Sequence, residues 1–290
     1  MNEKYLIPAS IVLSAGVIAV VWTYKTGLEI KPLAQNQYAQ VSSSVNADGE
    51  IDGETLQAVW GNLGQQLVEA GVIDKEKFLA LHEKRGDIGD SEKELLEGIG
   101  NRNLKINKRN AGYMLNLFWA LGLGNKNPIL ENGPMQKYGD PVGFASTGGW
   151  TIANGNAMDH YSRHAFISLT REQQILVEKV SQSVYRPCCN NSTYFPDCNH
   201  GMAMLGFLEL MASQGVSESE MYQNALIVNS YWFPKEYATI NKYLVNRNLS
   251  LVTADPKEIL GTDYSSGSGY KKVLSQVVPV EQKGGGDCGV

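Results

Sequence analysis

Clustered positive charge is missing from this 290-residue sequence. Its 25 Lys and Arg stand against 30 Asp and Glu, a net charge of −5, and no basic run is interleaved with aromatics. Binding phosphate backbones needs a basic face, so no nucleic-acid partner is expected. Catalytic signatures are missing as well. There is no G-x-S-x-G, no Walker loop and no G-x-G-x-x-G after a strand, so no nucleotide cofactor is expected and no enzyme class is assigned. Neither H-E-x-x-H nor C-x-x-C-H occurs, which removes the zincin and covalent-haem patterns. Four cysteines are too few to frame a chain of this length with disulfides.

Long apolar runs are also scarce; there is one. Tyr5–Tyr24 (YLIPASIVLSAGVIAVVWTY) carries no charge from end to end. A helix of that length rises about 30 Å, the thickness of a bilayer's hydrocarbon core. Lys4 and Lys25 bracket it, and Tyr5, Trp22 and Tyr24 occupy interfacial positions. A cleaved signal peptide would have a shorter apolar core and a small-x-small cleavage site, whereas here the run continues through Val20, Val21 and Trp22. The expectation is a single-pass anchor over residues 1–25, with the bulk of the chain extracytoplasmic. Residues 26–50, polar and with a Ser run, read as a flexible tether.

The rest reads as mainly α. Leu56, Val59, Trp60, Leu63 and Leu67 recur at helical spacing up to Gly71. Asp74 and a Ser91–Glu94 pair read as caps, and an apolar face runs through Met114, Leu117, Phe118 and Leu121. These define a helical subdomain over residues 51–125. Residues 126–250 form a second helical subdomain, opening with an irregular Gly/Pro-rich segment that holds a short hairpin near Trp150. In it, Thr170–Gln173 and Ser217–Glu220 match the capping box, and Gly201–Ser213 is apolar enough to be central. Glu209, the only charge in that stretch, reads as its solvated position or as a buried acid near the cysteine–histidine cluster. Residues 251–290 read as a loosely structured tail carrying Cys288.

Three of the four cysteines crowd into one short segment, at Cys188, Cys189 and Cys198, with His200 just beyond, where a helix begins. Thiolates and neutral imidazole are ligands for zinc, and for copper(I) with thioether help. The positive end of a helix dipole favours thiolate at its N-terminus. Met204 shares a helix face with His200. His160 and His164, spaced i and i+4, can share a metal if helical, and they join the candidate ligands in support. His82 sits alone on a charged helix and needs no functional account. The first expectation is therefore a soft-metal site for copper or zinc. Two others stay open. One is thiol–disulfide exchange through the same cysteines with Cys288, and the other a helical scaffold in which Cys198 pairs with Cys188 or Cys189.

The segments YRPCC (185–189) and FPDCNHGMAM (195–204), with TGGWT before and NSYWFP after, resemble a group of membrane-anchored bacterial proteins. That resemblance implies anchoring and carries no activity. The cysteine segment and Gly215-Val-Ser217-Glu-Ser-Glu220 after it are also similar to exported modules with a PCYCGC motif and to the thiol component of cytochrome c maturation. The chain departs at the key point, because Cys188 and Cys189 are adjacent and the C-x-x-C redox pair is missing.

Overall fold

A computed structural model describes residues 53–277. The apolar stretch Tyr5–Tyr24, the tether and Cys288 lie outside them. Among the described residues, no helix is long and apolar enough to cross a membrane.

The helical expectation meets its first correction at the start. Glu54–Gly61 is a strand, β1, with Leu56, Ala58 and Trp60 buried. That period of two competes with a helical period through Leu56, Val59, Trp60 and Leu63, and small Ala58 makes it easy to overlook. Three helices follow: α1 (Leu63–Glu69), α2 (Lys75–Arg85) and α3 (Asp90–Glu97). Then β2 (Gly100–Ile106) returns to pair antiparallel with β1. Asp74 caps α2 as expected, its carboxylate accepting from the Lys77 amide. The cap of α3 lies ahead of Ser91, at Gly89, whose amide donates to Glu92. His82 is fully buried, its Nδ1 2.9 Å from Asp87 and its Nε2 3.2 Å from the Asn116 amide. It locks the end of α2 to the core, which its charged neighbours in sequence do not suggest.

The centre of the fold is the crossing of α4 (Ala111–Gly124) with the helix that follows the cysteine segment. Between them the Gly/Pro-rich segment forms short helices α5 (Pro128–Asn132), α6 (Pro134–Tyr138) and α7 (Ala145–Gly148) and no hairpin near Trp150. Next come α8 (Arg171–Ser183), capped by the Thr170–Gln173 box, and α9 (Asn199–Ser213), the central helix. The Ser217–Glu220 box opens α10 (Glu218–Trp232), and Pro234 opens α11 (Pro234–Val245). The expectation of loose structure after residue 250 is corrected over Pro256–Leu274. There α12 (Pro256–Ile259), α13 (Thr262–Ser265) and α14 (Gly267–Leu274) pack on the body. Ile259, Leu260 and Val273 are buried in the common core.

Glycines let α4 and α9 approach backbone to backbone. A Cβ on Gly206 would lie 2.5 Å from both the Gly122 amide nitrogen and the Phe118 carbonyl oxygen. Gly206→Ala would gain about 1 kcal/mol of helix propensity but force apart two packed backbones, at about 3 kcal/mol or more. The clash dominates, so urea denaturation should show a loss of roughly 2 kcal/mol. Gly143→Ala, where a Cβ would meet nothing within 4 Å, should be near neutral.

Candidate metal centre

The cysteine segment connects α8 to α9 and is tied down along its length. The Thr193 amide donates to Val184, Tyr194 to Ser181 and Tyr185 to Leu260. The N-terminus of α14 closes over the vicinal cysteines: the Gly267 amide donates to the Cys189 carbonyl and the Ser268 amide to Asn190 Oδ1. Cys198 is the N-cap of α9, so its sulfur lies at the positive end of a 15-residue helix.

This folding brings the thiols together. Cys188 Sγ is 3.8 Å and Cys189 Sγ 3.9 Å from Cys198 Sγ. A disulfide would place sulfurs about 2.05 Å apart; thiolates about 2.3 Å from a tetrahedral zinc lie about 3.8 Å apart. Ligand atoms of Cys188, Cys198 and His200 lie within 4.8 Å of one another, as do those of Cys189, Asp197 and Cys198. Cys198 belongs to both groups. Cys188 is exposed, Cys189 and Cys198 are partly covered, and His200 is buried with its ring 4.4 Å from that of Phe233.

Sequence reasoning missed the residue that organises the segment. Arg186 is buried, and its guanidinium donates in four directions: Nε to Cys198 Sγ at 3.0 Å, Nη1 to the Asn191 carbonyl at 3.0 Å, and Nη2 to the Phe195 carbonyl at 3.2 Å and Asp197 Oδ1 at 2.8 Å. Asn191 Nδ2 holds the other Asp197 oxygen at 2.8 Å. Gly201, in the first turn of α9, makes the space: a Cβ there would sit 2.4 Å from Arg186 Nη2. Asp197 escaped the same reasoning, though its place beside Cys198 was a signal. An Arg before Pro reads as surface charge unless its buried acceptors are known.

The three thiols are electrostatically unequal. Hydrogen bonds from Cys188 and Cys189, then the Arg186 charge and His200, hold Cys198 well below the usual thiol range, against the effect of burial. Cys188 is pushed up by its bonds to Cys189 and Cys198 and by burial. The bond with Cys188 favours the Cys189 thiolate, but Cys198 and burial outweigh it and Cys189 is pushed up to about 11. Burial works against the Arg186 charge, but the charge at the neighbouring sulfurs, Cys198 first, outweighs it and holds the guanidinium more firmly protonated than usual. The segment thus presents one thiolate with two protonated thiols donating to it, and a cation that binds would displace those protons.

The other expected ligands are Met204, His160 and His164. Met204 is buried in the core. His160 and His164 are not on a helix: the chain from 160 to 164 is a turn that ends in a β-bridge between His164 and Asn125. Their rings face each other, with His160 Nδ1 3.1 Å from His164 Nε2. Among the described residues, no group of three or more such ligands joins either imidazole to a thiol. Comparisons with protein-family models, curated proteins and solved structures give no match.

Proposed function

We propose that the chain is a membrane-anchored, extracytoplasmic protein that binds a soft metal ion, copper(I) or zinc, through Cys188, Cys198 and His200, with Cys189 at the same centre. The observation that carries this reading is the spacing of the sulfurs, 3.8 and 3.9 Å about Cys198. That spacing matches a shared cation and is wider than any disulfide. Arg186 supports it by offsetting part of the negative charge that several thiolates would concentrate there. The anchor rests on the Tyr5–Tyr24 stretch. The full chain, purified reduced in detergent, should take up one zinc or copper(I) at the thiols and melt higher for it. Removing an outer-shell partner of a metal ligand typically weakens binding about 10–100-fold; Cys198→Ser removes the shared ligand and should weaken it more. Unchanged affinity in that variant, or no uptake by the native chain, would defeat the proposal.

One observation favours a second reading, thiol–disulfide exchange. Cys198 has the setting of an attacking thiolate, at a helix N-terminus beside a guanidinium, with two thiols in reach to resolve a mixed disulfide. Thiol counting after exposure to oxidised glutathione separates the readings, since a redox protein loses two thiols rapidly and a metal-loaded centre keeps them.

A further inference from the structure

The histidine pair is separate from the thiols and has the features of a built site. His160 Nε2 lies 2.9 Å from the Asn154 carbonyl oxygen. A carbonyl only accepts, so this nitrogen carries a hydrogen, and in the neutral tautomer that this contact selects Nδ1 turns its lone pair toward His164. Metal-bound histidines are commonly fixed in this way, with the distal N–H given to a backbone carbonyl.

The backbone is shaped to make the rings meet. Ser162, between them, is left-handed at φ 53°, a conformation that strains a residue with a Cβ. Its amide donates to the Leu123 carbonyl, and its hydroxyl oxygen accepts from the Asn127 amide. The His164 amide donates to Gly124 and its carbonyl accepts from Lys126. Below this turn, Asn125 and Asn127 are held by the buried Glu209. Phe166 stacks on the outer imidazole, ring centres 5.1 Å apart. His160 is buried and His164 half-buried, which leaves an open side toward solvent.

We infer that His160 Nδ1 and His164 Nε2 form a second metal site, independent of the cysteines, for a borderline divalent cation of the zinc, cobalt or nickel kind. Nitrogens about 2.0–2.1 Å from one ion lie about 2.9 Å apart at a right angle and about 3.3 Å apart in a tetrahedron. The observed 3.1 Å falls between these limits. Imidazole suits such ions, and the cation takes the place of the proton the two nitrogens otherwise share. Among the described residues, no third Cys, His, Asp or Glu ligand completes this pair, so water fills the remaining positions.

Cobalt(II) titration of the reduced full chain tests this, because a thiolate-bound cobalt shows a near-ultraviolet charge-transfer band and an imidazole-bound one does not. The native chain should bind two cobalt ions, one with the band. His164→Gln should bind one, with the band intact, and Cys198→Ser should keep the histidine-bound ion while losing the band. The proton NMR spectrum of the native cobalt form should also show a paramagnetically shifted, exchangeable ring N–H from His160, which needs no variant. A stoichiometry of one with no such proton, or an unchanged isotherm in His164→Gln, would overturn the inference. Loss of the band in His164→Gln would also overturn it, by placing the imidazoles at the thiol centre. Failure of the thiol site alone would leave two-histidine binding intact in Cys198→Ser.

Discussion

Replacing Arg186 with methionine should destabilise the chain by about 3–5 kcal/mol, the cost of breaking one side of a buried charged pair. Methionine fills much of the volume and donates nothing. The carbonyls of Asn191 and Phe195 and one oxygen of Asp197 would lose their donor together. The Asp197 side chain keeps 21% of its exposure, so water recovers part of the loss and the lower end of the range is the better figure. Lysine would keep the charge but not the fork. One ammonium group cannot reach a sulfur, two carbonyls and a carboxylate from one position, so Arg186→Lys should recover only a minority of the loss. Gly201→Ala should reproduce the effect from the other side by pushing the guanidinium out of plane. Urea denaturation measures all three. The Cys198 thiol should also titrate higher in Arg186→Met, only part of the way, because the Cys188 and Cys189 bonds remain. A variant within about 1 kcal/mol of the native chain, with unchanged thiol titration, would show that the arginine does not organise the segment.

The same residue marks what a sequence can disclose here. The cysteine cluster was legible because thiols are rare and three of them between positions 188 and 198 are conspicuous. The capping boxes at Thr170 and Ser217 were legible because both partners lie within one helical turn. Arg186 and Asp197 belong to the cluster by geometry that closes only when the segment folds over α9. The β1–β2 pair was hidden for a similar reason. Three helices separate its strands in the chain, and the helical period through Leu56, Val59 and Trp60 competes with the strand face of Leu56, Ala58 and Trp60. The i, i+4 spacing of His160 and His164 gave the right association for the wrong reason, since a left-handed turn and not a helix brings the rings together.

Glu209, open in the sequence between a solvated position and a buried acid, is the buried acid, and it gives stability a pH dependence of definite sign. It lies at the heart of α9 with no exposure. Asn125 donates to one of its oxygens at 2.6 Å and Asn127 to the other at 2.8 Å, both from far earlier in the chain. Those donors favour the carboxylate, yet burial outweighs them and pushes the group up to about 8. In the unfolded chain it titrates near 4.5. Between these values the folded state holds a proton that the unfolded state has released, so stability falls as pH rises through this window. Below it both states are protonated and above it both are ionised, and there the contribution of this group is flat. At about 1.4 kcal/mol per unit, the loss across the window is on the order of 5 kcal/mol. The amides cannot relieve the conflict by turning over. The Asn125 carbonyl oxygen already accepts from the Ile167 amide, and that of Asn127 from Ile129 and Gln174. Glu209→Gln should therefore set an N–H against one asparagine donor and lower stability at pH 5, while removing this slope. Urea denaturation at pH 5, 6.5 and 8 should show native stability declining toward pH 8 and the variant nearly level. Parallel slopes in the two proteins would place the pH dependence on other groups.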